Sequence, residues 1–186
     1  MSQQKTDQPK LQELILYLAS KMDEDQHVGR GRIKLAKLIW RCDFGAFWKL
    51  GEPITETTYV ADEHGPAPVG ELLATRDLEA AGRLEWHNEW DRQQIPVALD
   101  TPHLDVFSAE QLELIHGQLD EYRYVTGAAM RAEAHEFPGW QQAWRDGAGQ
   151  HAPVPFESVF WDARRELEDW EQGHAALLAK SLKSDS

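Results

Sequence analysis

With 186 residues, 41% of them hydrophobic, the chain is sized for one domain, or one domain with an appendage, and has the apolar content for a real core. Its formal net charge of −13 repels phosphate backbones and argues against non-specific nucleic-acid binding; such charge serves solubility or meets a basic protein partner. A single cysteine, Cys42, excludes an internal disulfide, and no apolar run approaches the roughly 20 residues that span a bilayer.

The N-terminus, MSQQKTDQPK, lacks the apolar centre of a signal peptide, so a cytoplasmic protein with no membrane partner is expected. Residues 1–10 read as a flexible polar lead-in. Leu11, Leu14, Ile15 and Leu18 recur at helical spacing and predict a first amphipathic helix that ends between Asp23 and Gly29. A second helix is expected from Gly31 to Leu50, stopped by Gly51. The β-favouring residues between Ile54 and Ala61 predict a short strand, and Gly65-Pro66 turns the chain. Val69 to Ala81 reads as a third helix. Leu84, Trp86 and Trp90, then Ile95, Val97 and Leu99, alternate with other residues and predict one antiparallel hairpin.

Ser108-Ala109-Glu110-Gln111 is a capping box that opens a fourth helix. Gly127 to His135 makes a short fifth helix, stopped by Phe137-Pro138-Gly139, and Trp140 to Trp144 adds a turn. GAGQHAPVP, residues 147–155, reads as a linker-like loop. A last helix is expected from Phe156 to Lys180, with Phe156, Val159, Phe160, Ala163, Leu167, Trp170, Leu177 and Leu178 on or near one stripe and Pro155 at its start.

The second helix carries most of the chemistry. Leu35, Ile39, Cys42, Ala46 and Leu50 share one sector, and Lys34, Lys37 and Arg41 lie opposite. Those three cations read either as a solvated face or as a docking stripe for an acidic protein surface. Asp43 points into the apolar sector, where a carboxylate needs donors or a cation; the Tyr59 hydroxyl, His64 or the amides of the Gly65 turn are candidates. Cys42, buried with no His beside it in sequence, reads as inert. Trp140 and Trp144, four apart beside Phe137, form an aromatic cluster that suits either core packing or a protein interface. No nucleophile motif, phosphate loop or dinucleotide fingerprint is present, and the eight histidines show no metal-ligand spacing. No cofactor and no metal are expected.

The run K-L-x-K-L-I-x-x-x-D from Lys34 to Asp43 is followed by Pro53-Ile54-Thr55, Tyr59 and His64-Gly65-Pro66-Ala67-Pro68. This order resembles the Panacea domain, the SocA-like antitoxin family. A second run, Ala134 to Trp140, is similar to the family's S-H-x-x-P-x-W, with Ala134 where the family often has Ser. The resemblance covers roughly Leu11 to Pro155, so residues 11–154 are taken as the Panacea-like domain and 155–186 as an added C-terminal helix and tail. It implies a mostly helical fold in which Asp43, Tyr59, His64, Gly65, Pro66 and His135 form the structural motif. It also implies a binding protein without catalytic residues.

Panacea-like domains act as antitoxins in bacterial and phage toxin–antitoxin pairs and neutralise unrelated toxins by direct binding. At least one branch is a proteolytic adaptor for a ClpXP-type protease. The resulting expectation is a mainly helical α+β domain with a short antiparallel hairpin. Its partner is a protein toxin, with a ClpXP-type protease and self-association left open. A phage or mobile-element interaction protein with another partner is the alternative. A hydrolase using Asp43, His64 and His135 is the third reading, and it requires those side chains to meet in a cleft.

Overall fold

The computed structural model describes residues 8–55, 57–88 and 94–161. Among these the chain forms six α-helices and four short strands in two antiparallel pairs, a mainly helical α+β fold. The leucines at helical spacing build α1 (Gln8–Glu24), which therefore takes in Gln8 to Lys10 from the expected lead-in. It is buried on more than the predicted stripe, since Leu16, Tyr17 and Ala19 are also inside. Helix α2 (Arg32–Leu50) runs through the middle of the molecule. It packs against α1, α4 (Ala109–Glu121), α5 (Gly127–His135) and the 3-10 helix Phe156–Phe160.

Helix α2 is the shared wall of two cores. Leu35, Leu38, Ile39, Cys42 and Ala46 join α1, α3 (Glu71–Ala80) and α4 in the larger one. Trp40 and Phe44 join Tyr59, Ala61, Ala134, Trp140 and Val154 in a smaller, aromatic one. Helix α4 begins on the predicted capping box, with the Gln111 amide donating to Ser108 Oγ and the Ser108 amide donating to Gln111 Oε1. Its sequence signature is read correctly because the motif is local.

The expected hairpin is present as β3 (Leu84–Asn88) and β4 (Gln94–Ala98). A second pair was not expected. Strands β1 (Tyr59–Asp62) and β2 (Gly65–Pro68) form a tight hairpin with Tyr59 opposite Pro68 and Ala61 opposite Pro66. Prolines cannot donate to a ladder and argue against a strand. Here they sit where no donor is needed. Tyr59 and Ala61 turn their backbone groups outward to residues 151–154: the Ala61 amide donates to Ala152 O, and the amides of His151 and Val154 donate to Ala61 O and Tyr59 O, each at 2.8 Å. The stretch read as a linker-like loop is thus a partial third strand on β1, and Val154 is buried.

The C-terminal expectation is corrected at its start. Phe156 to Phe160 form a 3-10 helix, and Trp161 is extended, so no continuous α-helix begins at Phe156. Phe156 packs into the aromatic core, its ring centroid 4.8 Å from Phe44 and 5.7 Å from Tyr59. The rest of the expected last helix, like Trp90 of the expected hairpin, lies outside the described residues.

One buried group makes the fold acid-sensitive. His27 is 5% exposed, and its Nδ1 has no partner among the described residues. Burial, helped by the nearby Lys34 charge, pulls its pKa down to about 4. Between pH 6.5 and 4 the unfolded chain binds a proton at this residue that the folded chain does not. Stability therefore falls as pH drops through that window. The expected loss is about 2–3 kcal/mol. Urea unfolding of the parent and of His27→Leu at a series of pH values checks this: the parent's stability minus the variant's should fall steadily from pH 7 to pH 4, by about 2–3 kcal/mol in all.

Candidate functional site

The charged residues of α2 do not form an exposed stripe. Lys34 is 0% and Lys37 2% exposed. The helical wheel misplaces them because it takes the lysine side as the wet one, whereas the chain around Tyr122–Val125 and the Gly65–Pro68 strand cover that side; Leu38 and Trp40 beside the lysines were the available signal. Each charge instead ties a distant loop to the helix.

Lys34 Nζ shares its three N–H donors among four backbone carbonyls: Val28 at 2.8 Å, Tyr122 at 2.7 Å, Val125 at 2.8 Å and, more distantly, Arg123 at 3.3 Å. Three of these belong to the turn that follows the C-terminal end of α4, where a cation is favoured. Lys37 Nζ donates to Pro66 O at 2.7 Å, inside the His64-Gly65-Pro66 corner. Burial pulls both lysines down to about pKa 8, so both remain mainly cationic at neutral pH.

Asp43 is fully buried and accepts four hydrogen bonds. The Ile54 and Thr55 amides donate to Oδ1 at 3.0 and 2.8 Å, and the Thr55 and Tyr59 hydroxyls donate to Oδ2 at 2.6 and 2.7 Å. The expected Tyr59 donor is present. The other donors come from the Pro-Ile-Thr segment; the expected His64 and Gly65-turn donors take no part. Burial raises the Asp43 pKa, and the four donors work against that rise. Cys42 beside it is also fully buried, which pushes its thiol pKa far up and leaves it inert.

The two sequence motifs meet at the β1–β2 turn. Trp140 Nε1–H donates to Asp62 O at 2.9 Å, and His135 Nε2–H donates to Glu63 O at 3.0 Å, across 78 and 72 residues of chain. His135 stacks on Trp140 with centroids 4.4 Å apart, and Trp140 on Trp144 at 5.5 Å. Trp140 is buried, so its indole serves the core and this clasp; Trp144 is half-buried beside it. Gly65 carries φ +100, and a Cβ there would lie 2.7 Å from Ala134 Cβ. The Ala of the second motif therefore packs directly on the Gly of the first.

The proposed hydrolase residues do not converge. Asp43 is enclosed by Thr55 and Tyr59, His135 lies flat on Trp140, and the cavity that His64 lines includes neither of them. Among the described residues no group of three or more His, Cys, Asp or Glu side chains is placed to hold a metal, and no helix is long and apolar enough to cross a membrane.

An aromatic groove of about 380 Å3 lies between the second half of α2 and α4. Trp40, Phe44, Trp48, Leu114 and Phe137 line it, and Trp48 is 58% exposed. Arg41, the third member of the expected stripe, stands at its edge. Its guanidinium lies 3.3 Å from Glu133 and 3.7 Å from Glu121, and over the rings of Trp40 and Tyr122. Sequence reasoning missed Trp48, although it is the largest exposed apolar side chain of α2.

No curated protein and no solved structure matches the chain. The family model described as antitoxin SocA-like, Panacea domain, matches residues 35–141, a span that runs from Lys37 and Asp43 through the His64-Gly65-Pro66 corner to the Trp140 clasp. More than half of the chain falls in that match, and the chain belongs to the SocA-like antitoxin family, Panacea domain.

Proposed function

We propose that the protein is the antitoxin of a toxin–antitoxin pair and neutralises a protein toxin by direct binding, with the α2–α4 groove as the docking face. Membership of an antitoxin family is the observation that carries the reading. The groove supports it because an exposed Trp set among buried aromatics is the kind of anchor on which binding energy concentrates. The net charge of −13 favours a cationic toxin through long-range attraction. The family match ends at residue 141, and we assign partner choice to residues 162–186, well beyond it.

Gly45 gives the test. It lines the groove, and a Cβ built on it meets nothing within 4 Å. Gly45→Leu should fill the groove without strain, and replacing a helical glycine should add about 0.5–1 kcal/mol of stability. The variant is co-expressed with the product of the neighbouring small reading frame that arrests growth. The expected result is a protein at least as stable as the parent that no longer rescues the cells. Full rescue by Gly45→Leu would remove the groove from the binding face. Absence of any toxic neighbour rescued by the parent would remove the antitoxin reading. Rescue in a host lacking the ClpXP-type protease separates simple occlusion from delivery to that protease.

A further inference from the structure

A second opening lies on the same side of α2, one to three turns before the groove. It is a cavity of about 240 Å3 between the start of α2, the β1–β2 hairpin and the first residue of α3. Ile33, Ala36 and Ala67 give it apolar walls, and Arg32, Lys37, Asp62, His64 and Glu71 give it polar ones. Three polar atoms of these walls are buried with no hydrogen-bond partner among the described residues: Arg32 Nε, His64 Nδ1 and Glu71 Oε1. Orphaned buried polar atoms are rare in native proteins, and three around one void call for an explanation.

The groups are held apart from one another. The Arg32 guanidinium lies over the Trp86 ring, its Cζ 4.4 Å from the ring centroid. Lys37 spends an N–H on Pro66 O. The far nitrogen of His64, Nε2, faces Glu63 at 3.4 Å. Opposite charges at Arg32 and Glu71 thus share a cavity with both Arg32 Nε and Glu71 Oε1 still unsatisfied.

The chemistry of an occupant follows from what is unsatisfied. Arg32 Nε–H wants an acceptor and Glu71 Oε1 wants a donor. The two cations, Arg32 and Lys37, balance the two carboxylates, Asp62 and Glu71, so a charged occupant would leave one charge uncompensated in a half-closed site. A neutral group with an acceptor and a donor side by side is a primary carboxamide. The apolar walls suit the methylene stem that would carry it. The volume is below the roughly 300–1,000 Å3 of pockets for drug-sized ligands and suits one side chain.

We propose that this cavity is a socket for a single Gln or Asn side chain presented by the protein partner. The carboxamide oxygen accepts from Arg32 Nε–H, the NH2 group donates to Glu71 Oε1, and His64 Nδ1 makes the third contact. The identity of the carrier rests on the antitoxin reading; the socket itself is tested without any partner.

The 15N-labelled full chain is titrated with N-acetylglutamine methylamide, and in parallel with the N-acetylglutamate and N-acetylleucine methylamides. The expected result is a saturable millimolar response at Ile33, Ala36, His64 and Ala67 for the glutamine probe, with the other two at least about tenfold weaker. Glu71→Ala should weaken the glutamine probe by about tenfold or more through loss of the acceptor. Ala36→Leu should fill the void and abolish the response, its fold being checked by thermal unfolding; if it does not fold, Glu71→Ala carries the test alone. Equal responses to all three probes, shifts confined to other residues, or an unaltered Glu71→Ala would overturn the socket and leave a void that holds water. A folded Ala36→Leu that still rescues cells from the toxin would overturn the assignment of the partner as carrier. That result would leave the antitoxin reading, tested through Gly45, untouched.

Discussion

Asp43→Ala should unfold at much lower urea than the parent, with a loss of about 3–5 kcal/mol. The substitution removes the acceptor of four buried donors at once, two amides and two hydroxyls. Each donor left dry costs about 1–3 kcal/mol, less whatever water enters the space vacated by the carboxylate. Burial already opposes the Asp43 charge, so part of the loss is returned when that charge goes. Asp43→Asn separates the two contributions. Its oxygen still accepts from the Ile54 and Thr55 amides, and its NH2 can donate to the Thr55 and Tyr59 hydroxyls once they turn. The Asn variant should therefore lose less than half as much stability as the Ala variant. Equal losses would mean that the negative charge, and not the count of acceptors, holds the Pro-Ile-Thr segment.

Gly65→Ala should cost about 3 kcal/mol or more. Two effects add. The backbone at φ +100 is one that a Cβ resists, and the Cβ would stand 2.7 Å from Ala134 Cβ and 3.2 Å from Lys37 Nζ. The neighbours cannot retreat easily, because Lys37 is tied to Pro66 and the turn is clasped by His135 and Trp140. Gly82→Ala is the control: it also has positive φ, +68, but a Cβ there meets nothing within 4 Å. It should cost only the conformational part, about 1–2 kcal/mol. Thermal or urea unfolding of both variants is the measurement. Equal costs would show that the contact with Ala134 relaxes freely.

Elements whose signals are local were readable from the sequence. The capping box of α4, the span of α5 and the alternation in β3 and β4 depend on neighbours a few residues away. The β1–β2 hairpin was hidden because Pro66 and Pro68 speak against a strand, and their permission comes from residues 151–154 on the far side of β1. Lys34 and Lys37 misled for a related reason. A lysine is read as wet unless carbonyls from elsewhere surround it, and those at Tyr122 and Val125 lie 88 and 91 residues away. The tryptophans divide in the same manner. Trp40 and Trp140 are core, whereas Trp48 and Trp161 are exposed, and no local pattern separates the two groups.

The tethers of α2 differ greatly in reach, and this bears on how the chain finds its fold. Asp43 closes loops of only 11 to 16 residues, to Ile54, Thr55 and Tyr59. Lys34 must wait for a segment some ninety residues downstream. Loop closure favours the short contacts first, since long-range ones need more chain entropy to be surrendered before they are rewarded. The acidic tether is thus suited to the folding nucleus, and the caged lysine to a late locking step. Damage to the first should slow folding, whereas damage to the second should hasten opening at the start of α2, where the proposed socket lies.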